Sequence, residues 1–99
     1  MYKAIIEINN NVNADVLIAT KKIIESAFDN RLGQVKNSSL EPYCLIFSGD
    51  ENKYGCLEVG LFALKKHTDV LKNIVSLKWI DKEPTESCDM LEVFSKKVN

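Results

Sequence analysis

Arginine is nearly absent from this chain of 99 residues: Arg31 stands alone beside twelve lysines. The forked guanidinium is the side chain that most often reads guanine edges and grips phosphates bidentately. Thirteen Lys plus Arg against fourteen Asp plus Glu leave a formal net charge of -1. No overall field therefore draws the chain to nucleic acid or to an anionic membrane. Proline is equally sparse, with only Pro42 and Pro84, and no Pro/Gly-rich linker, repeat or low-complexity tract interrupts the sequence. One domain over residues 1–99 is the expectation, because dividing so short a chain between two cores leaves each half too small to bury enough surface.

Long apolar runs are missing as well. Lys3 and Glu7 punctuate the amino terminus, which falls far short of a signal peptide or a membrane span. The expected compartment is the cytoplasm, with no membrane partner. Three cysteines, Cys44, Cys56 and Cys88, form no C-x-x-C pair and no disulfide framework, so reduced thiols and no metal are expected. His67 is the only histidine and has no evident Ser or Cys to activate. Gly49 to Gly55 lacks the Gly-Lys-Ser/Thr ending of a phosphate loop, and Asp50-Glu51-Asn52 lacks the spaced ligands of a calcium loop. Tyr2, Tyr43 and Tyr54 do not form the basic-aromatic row of a base-stacking platform. No cofactor is implied, and the balance is against an enzyme.

What is present is clear hydrophobic patterning. Tyr2 to Ile8 is a β-branched apolar run closed by Asn9-Asn10-Asn11, which reads as a strand. Val16, Leu17, Thr20, Ile23, Ile24, Ala27 and Phe28 then recur at helical spacing; Asn13 can cap them and Gly33 can end them, giving a helix over about 14–31. A connecting segment over 34–41 leads to Tyr43–Phe47, and a second apolar run covers Tyr54 to Leu64, with turn formers between them. This pattern predicts a β-hairpin. Thr68 and Asp69 open a second helix, expected to reach about Ser76, although Val75, Leu77 and Trp79 also alternate as a strand would. Ser87 to Phe94 reads as a last strand before a frayed tail.

The resulting order is β-α-β-β-α-β, the split βαβ arrangement of a ferredoxin-like α+β sandwich, with two helices on one face of a four-stranded antiparallel sheet. That superfold hosts many unrelated functions, so it selects none. The informative residues are those on the sheet face that the helices leave open. Strand parity assigns Lys3, Ile5 and Glu7 to that face from the first strand. For the second strand parity is ambiguous, and the greater bulk of Tyr43, Leu45 and Phe47 is what turns them inward and leaves Cys44, Ile46 and Ser48 on the open side. From the third strand parity assigns Cys56, Glu58, Gly60 and Phe62, and from the last Cys88, Met90, Glu92 and Phe94.

A face mixing these apolar groups with Glu7, Glu58 and Glu92 is too apolar to stay bare, and a second copy of the chain or another protein is the expected cover. The candidate binding residues are therefore Glu7, Glu58, Glu92, Phe62, Met90 and Phe94, and the expected role is that of a homodimeric regulatory or binding module. Two alternatives remain open. One is a small dimeric barrel-like enzyme or ligand-binding protein with a pocket lined by Phe62, Met90, Phe94 and a glutamate. The other is an antitoxin- or immunity-type partner that plugs another protein's site with its acidic surface. Convergence of the three glutamates as a proton-transfer or cation cluster competes with their being ordinary solvated side chains. Convergence of the three cysteines on a soft metal competes with plain core packing.

Overall fold

A computed structural model of the chain describes residues 1–81 and 87–91. It is an α+β structure. The elements are β1 (Tyr2–Ile8), α1 (Ala14–Ala27), β2 (Asp29–Asn30), β3 (Gly33–Gln34), β4 (Cys44–Gly49), α2 (Tyr54–Lys65), α3 (Thr68–Leu71), β5 (Ile74–Ile80) and β6 (Ser87–Asp89). The main sheet has the order β4-β1-β5, antiparallel throughout, with the three-residue β6 added at the β5 edge; β2 and β3 form a separate two-stranded ribbon.

Inward-facing residues account for the core. Register places Phe47, Ala4 and Trp79 in one row and Leu45, Ile6 and Leu77 in the next. Five of these six are fully enclosed or nearly so, and Trp79 is half-buried. At the end of the sheet the pairing slips between Glu7 and Ile8, so that Ile8 meets Ile74 and Val75 becomes the extra residue of a bulge. Both longer helices lie on this inner side. α1 contributes Thr20 and Ile24, and α2 contributes Cys56, Leu57, Gly60, Leu61 and Leu64. Phe28, just beyond α1, stacks on Phe47 at a centroid separation of 4.1 Å and locks the helix layer to the sheet.

The strand expected over 54–64 is a helix. Its run is apolar at nearly every position, Glu58 excepted, so periodicity does not separate the two states, and its length suits a helix better than a strand. Val59 is its only β-branched residue, and burial follows helical spacing. The expected hairpin is therefore absent, and the turn formers serve another purpose: the Asp50 side chain accepts from the Asn52 amide and opens a single 3₁₀ turn over Glu51–Lys53 that runs into α2.

For the main sheet and the two longer helices, the predicted β-α-β-β-α-β order becomes β1-α1-β4-α2-β5 followed by short β6, which is not the ferredoxin-like arrangement. A split βαβ unit does exist: β4 and β5 are both antiparallel to β1, hence parallel to each other, and α2 connects them across it.

Smaller corrections have local causes. α1 ends at Ala27 rather than near residue 31, because the chain turns at once into the β2-β3 ribbon. Asn30 holds that turn: its amide nitrogen donates to the Ala27 carbonyl at 3.0 Å and to the Cys56 carbonyl at 3.1 Å, and its oxygen accepts from the Leu32 amide. Gly33, at φ 138°, serves the ribbon rather than the helix end. The helix expected over 68–76 stops after one turn, and the alternation of Val75, Leu77 and Trp79 belongs to β5. The strand expected over 87–94 ends at Asp89, with Met90 and Leu91 in helical conformation.

Candidate functional site

The face of β4-β1-β5 opposite the helices is the candidate site. Alternation along β1 turns Ala4, Ile6 and Ile8 inward and Lys3, Ile5 and Glu7 outward. β4 does the same with Leu45 and Phe47 inward and Cys44, Ile46 and Ser48 outward. Antiparallel register then arranges the outward residues in three rows: Ser48, Lys3 and Ile80; Ile46, Ile5 and Lys78; Cys44, Glu7 and Ser76. Ile5, Ile46 and Ile80 are half-buried, while Lys3, Glu7 and Lys78 are exposed. No side-chain hydrogen bond or ion pair of these three charged residues is formed among the described residues.

At the Glu7 end this face runs into an open cleft of about 530 Å³, whose walls include Asn9, Glu41, Tyr43, Cys44 and the bulged Val75. Val75 is 58% exposed. None of the cleft's lining residues is cationic. Glu7 and Glu41 therefore flank a thiol without the positive charge that activates a cysteine nucleophile.

Of the six residues expected to form the binding face, Glu7 alone stands on it among the described residues. Glu58 and Phe62 lie on the outer side of α2, across the core from the open sheet face, because residues 54–65 are helical. Phe62 is 43% exposed there, beside Val59, Ala63 and Lys66. Met90 is only 8% exposed and belongs to the hydrophobic core. Glu92 and Phe94 fall outside the described residues. Of the pocket expected from Phe62, Met90, Phe94 and a glutamate, Phe62 lies on the exposed side of α2 and Met90 in the core.

Cys44 and Cys56 do not come together either. Cys44 is on the open face, whereas Cys56 is buried under α2, its thiol donating to the Gly33 and Phe28 carbonyls at 3.1 and 3.4 Å. Cys88 sits opposite Trp79 in the β5-β6 register. Among the described residues no group of three His, Cys, Asp or Glu side chains can hold a metal ion. His67 is exposed at the start of α3, where its carbonyl accepts from Val70 and Leu71. No helix among the described residues is long and apolar enough to cross a membrane.

One electrostatic perturbation lies elsewhere. The Tyr54 hydroxyl donates to Glu58 Oε2 at 3.4 Å. The Glu58 charge, followed by partial desolvation, raises the Tyr54 pKa above its usual value near 10. Tyr54 belongs to an aromatic group that sequence patterning does not reveal. Its ring meets Tyr2 edge-on at 4.8 Å, and Tyr2 stacks on Trp79 at 5.9 Å. These residues are scattered over the sequence, and only the β1-β5 register together with the helical state of 54–65 brings them together.

No protein-family model matches the chain, and neither a curated protein nor a solved structure is measurably similar to it.

Proposed function

We propose that this chain is a small protein-binding module with a regulatory role, working through the open face of β4-β1-β5, with a second copy of itself as its first partner. The observation that supports this reading is the isoleucine group of that face. Ile5 and Ile46 are cross-strand neighbours on a surface that the helix layer does not cover, and Ile80 lies one row away. Apolar groups clustered on an open sheet face gain free energy when another surface removes them from water, by about 25 cal/mol for each Å² of apolar area buried. Lys3, Glu7 and Lys78 around them supply direction and selectivity. The thiol cleft, flanked by carboxylates and lined by no cationic residue, gives no comparable support to a catalytic reading.

Sedimentation equilibrium up to about 1 mM protein tests the proposal, since that concentration detects association as weak as about 4 kcal/mol. The wild-type chain is expected to exceed its monomer mass of 11.2 kDa. Ile5→Lys should return it to monomer with an unchanged circular dichroism spectrum. An assembly that is indifferent to Ile5→Lys, or a wild-type chain that stays monomeric throughout, overturns it.

A further inference from the structure

Resting on that reading, we infer that the second copy docks antiparallel, about a two-fold axis passing through Ile5 across the strands, so that Lys3 of each chain faces Glu7 of the other. The basis is the placement of charge on β1. Lys3 and Glu7 lie two residues to either side of Ile5 on the same face. At about 3.4 Å per residue, each is about 7 Å from the axis. A half-turn about that axis reverses the strands and exchanges the two positions, so both chains gain the same opposite-charge contact. Ile5 and Ile46, both on the axis, then meet their own symmetry mates, and each off-axis contact occurs twice, as an isologous interface requires. Both charges are exposed and have no side-chain partner among the described residues, so the pairing breaks no existing contact.

Two other orientations compete. An axis running along β1 places Lys3 on Lys3 and Glu7 on Glu7, which repels at both ends. A quarter-turn packing places Glu7 over Lys78 of the second chain, but it also lays Lys3 over Ile46, leaving an unpaired charge on the central strand. The antiparallel arrangement has its own cost, because Lys78 shares the row of Ile5 and faces its own mate. That contact lies to the β5 side rather than at the centre, and a lysine can carry its ammonium outward to water while its stem packs. The orientation that satisfies both central charges is therefore favoured over the one that satisfies Lys78.

Complementary charge exchange separates these geometries. Lys3→Glu and Glu7→Lys should each weaken self-association about tenfold or more, by creating like-charge contacts at both symmetric positions. Mixing the two single variants should restore association as a heterodimer. In that mixture one chain carries a carboxylate at both positions and the other an ammonium at both, so every facing pair is again of opposite sign. Lys78→Gln should tighten the dimer by relieving the repulsion between mates. Native mass spectrometry of the mixture and sedimentation of each variant provide the readouts, with circular dichroism confirming that each variant is folded. Single variants that associate like wild type, a mixture that forms no heterodimer, or a Lys78→Gln variant that associates more weakly overturns the antiparallel pairing. If Ile5→Lys still dissociates the dimer in that case, the open face remains the binding surface and only the orientation falls.

Discussion

Tyr54 and Glu58 show how one turn of helix sets the behaviour of a single group. Their positions in α2 put the phenol within 3.4 Å of the carboxylate, so the neutral hydroxyl can donate to it while the phenolate would be repelled by it. The native pKa therefore stands above the ordinary value near 10. For a group with a raised native pKa, the associated stability is fully present below the unfolded pKa. It is lost as pH climbs from about 10 through the native value, because the unfolded chain releases its proton first. Ultraviolet titration should show Tyr54 ionising later than a free tyrosine. Glu58→Gln should bring its midpoint back toward 10 and reduce the alkaline loss of stability. Strand parity assigns Glu58 to a sheet face; with 54–65 helical, it instead tunes a neighbouring phenol.

At the scale of elements, two glycines of α2 respond to opposite demands. A Cβ at Gly60 would come within 2.5 Å of the Phe28 ring, which is fully buried and stacked on Phe47 and so has no room to swing away. A Cβ at Gly55 meets only the Leu32 Cδ1, at 3.3 Å, at the end of an exposed and flexible side chain. Alanine gains about 1 kcal/mol over glycine within a helix, whereas overpacking a rigid core costs about 1–3 kcal/mol. Urea unfolding should therefore find Gly60→Ala destabilised by up to about 2 kcal/mol. Gly55→Ala should be neutral or stabilised by up to about 1 kcal/mol.

The same helix marks the limit of what sequence patterning could convey. β1 and α1 were legible because their apolar residues keep one period; residues 43–47 are apolar throughout, so the parity of β4 rested on the greater bulk of Tyr43, Leu45 and Phe47. Over 54–64 nearly every position is apolar, so both periods fit; the length of the run and its single β-branched residue favour the helix, which lays Gly60 against the Phe28 ring. β5 was ambiguous for a related reason: its bulge at Val75 interrupts the alternation that Leu77 and Trp79 resume. Reading 54–64 as a strand carries Glu58 and Phe62 to the wrong layer, which is why Glu7 alone keeps its place in the candidate site among the described residues.

For the whole molecule, the buried hydrophobic side chains of sheet, helices and Met90 form one cluster. A small chain with one contiguous core is expected to unfold as a unit. Circular dichroism melts should therefore coincide with the loss of dispersed side-chain signals in nuclear magnetic resonance. If the open face binds a second copy, the midpoint must also rise with protein concentration, because association draws population toward the folded state. A midpoint independent of concentration over about a hundredfold range would set a monomer as the unit that unfolds.

The aromatic group at the Tyr2 end of the sheet also has an optical consequence. Trp79 is the sole tryptophan, and the rings of Tyr2 and Tyr54 lie 5.9 and 6.0 Å from it. At such separations light absorbed by either phenol is passed to the indole before it can be re-emitted. In the folded protein the light absorbed by Tyr2 and Tyr54 should emerge at tryptophan wavelengths, whereas Tyr43, in the cleft at the Glu7 end, stands outside the group. A growing tyrosine band would then report, without any added dye, the moment at which β1, α2 and β5 part company.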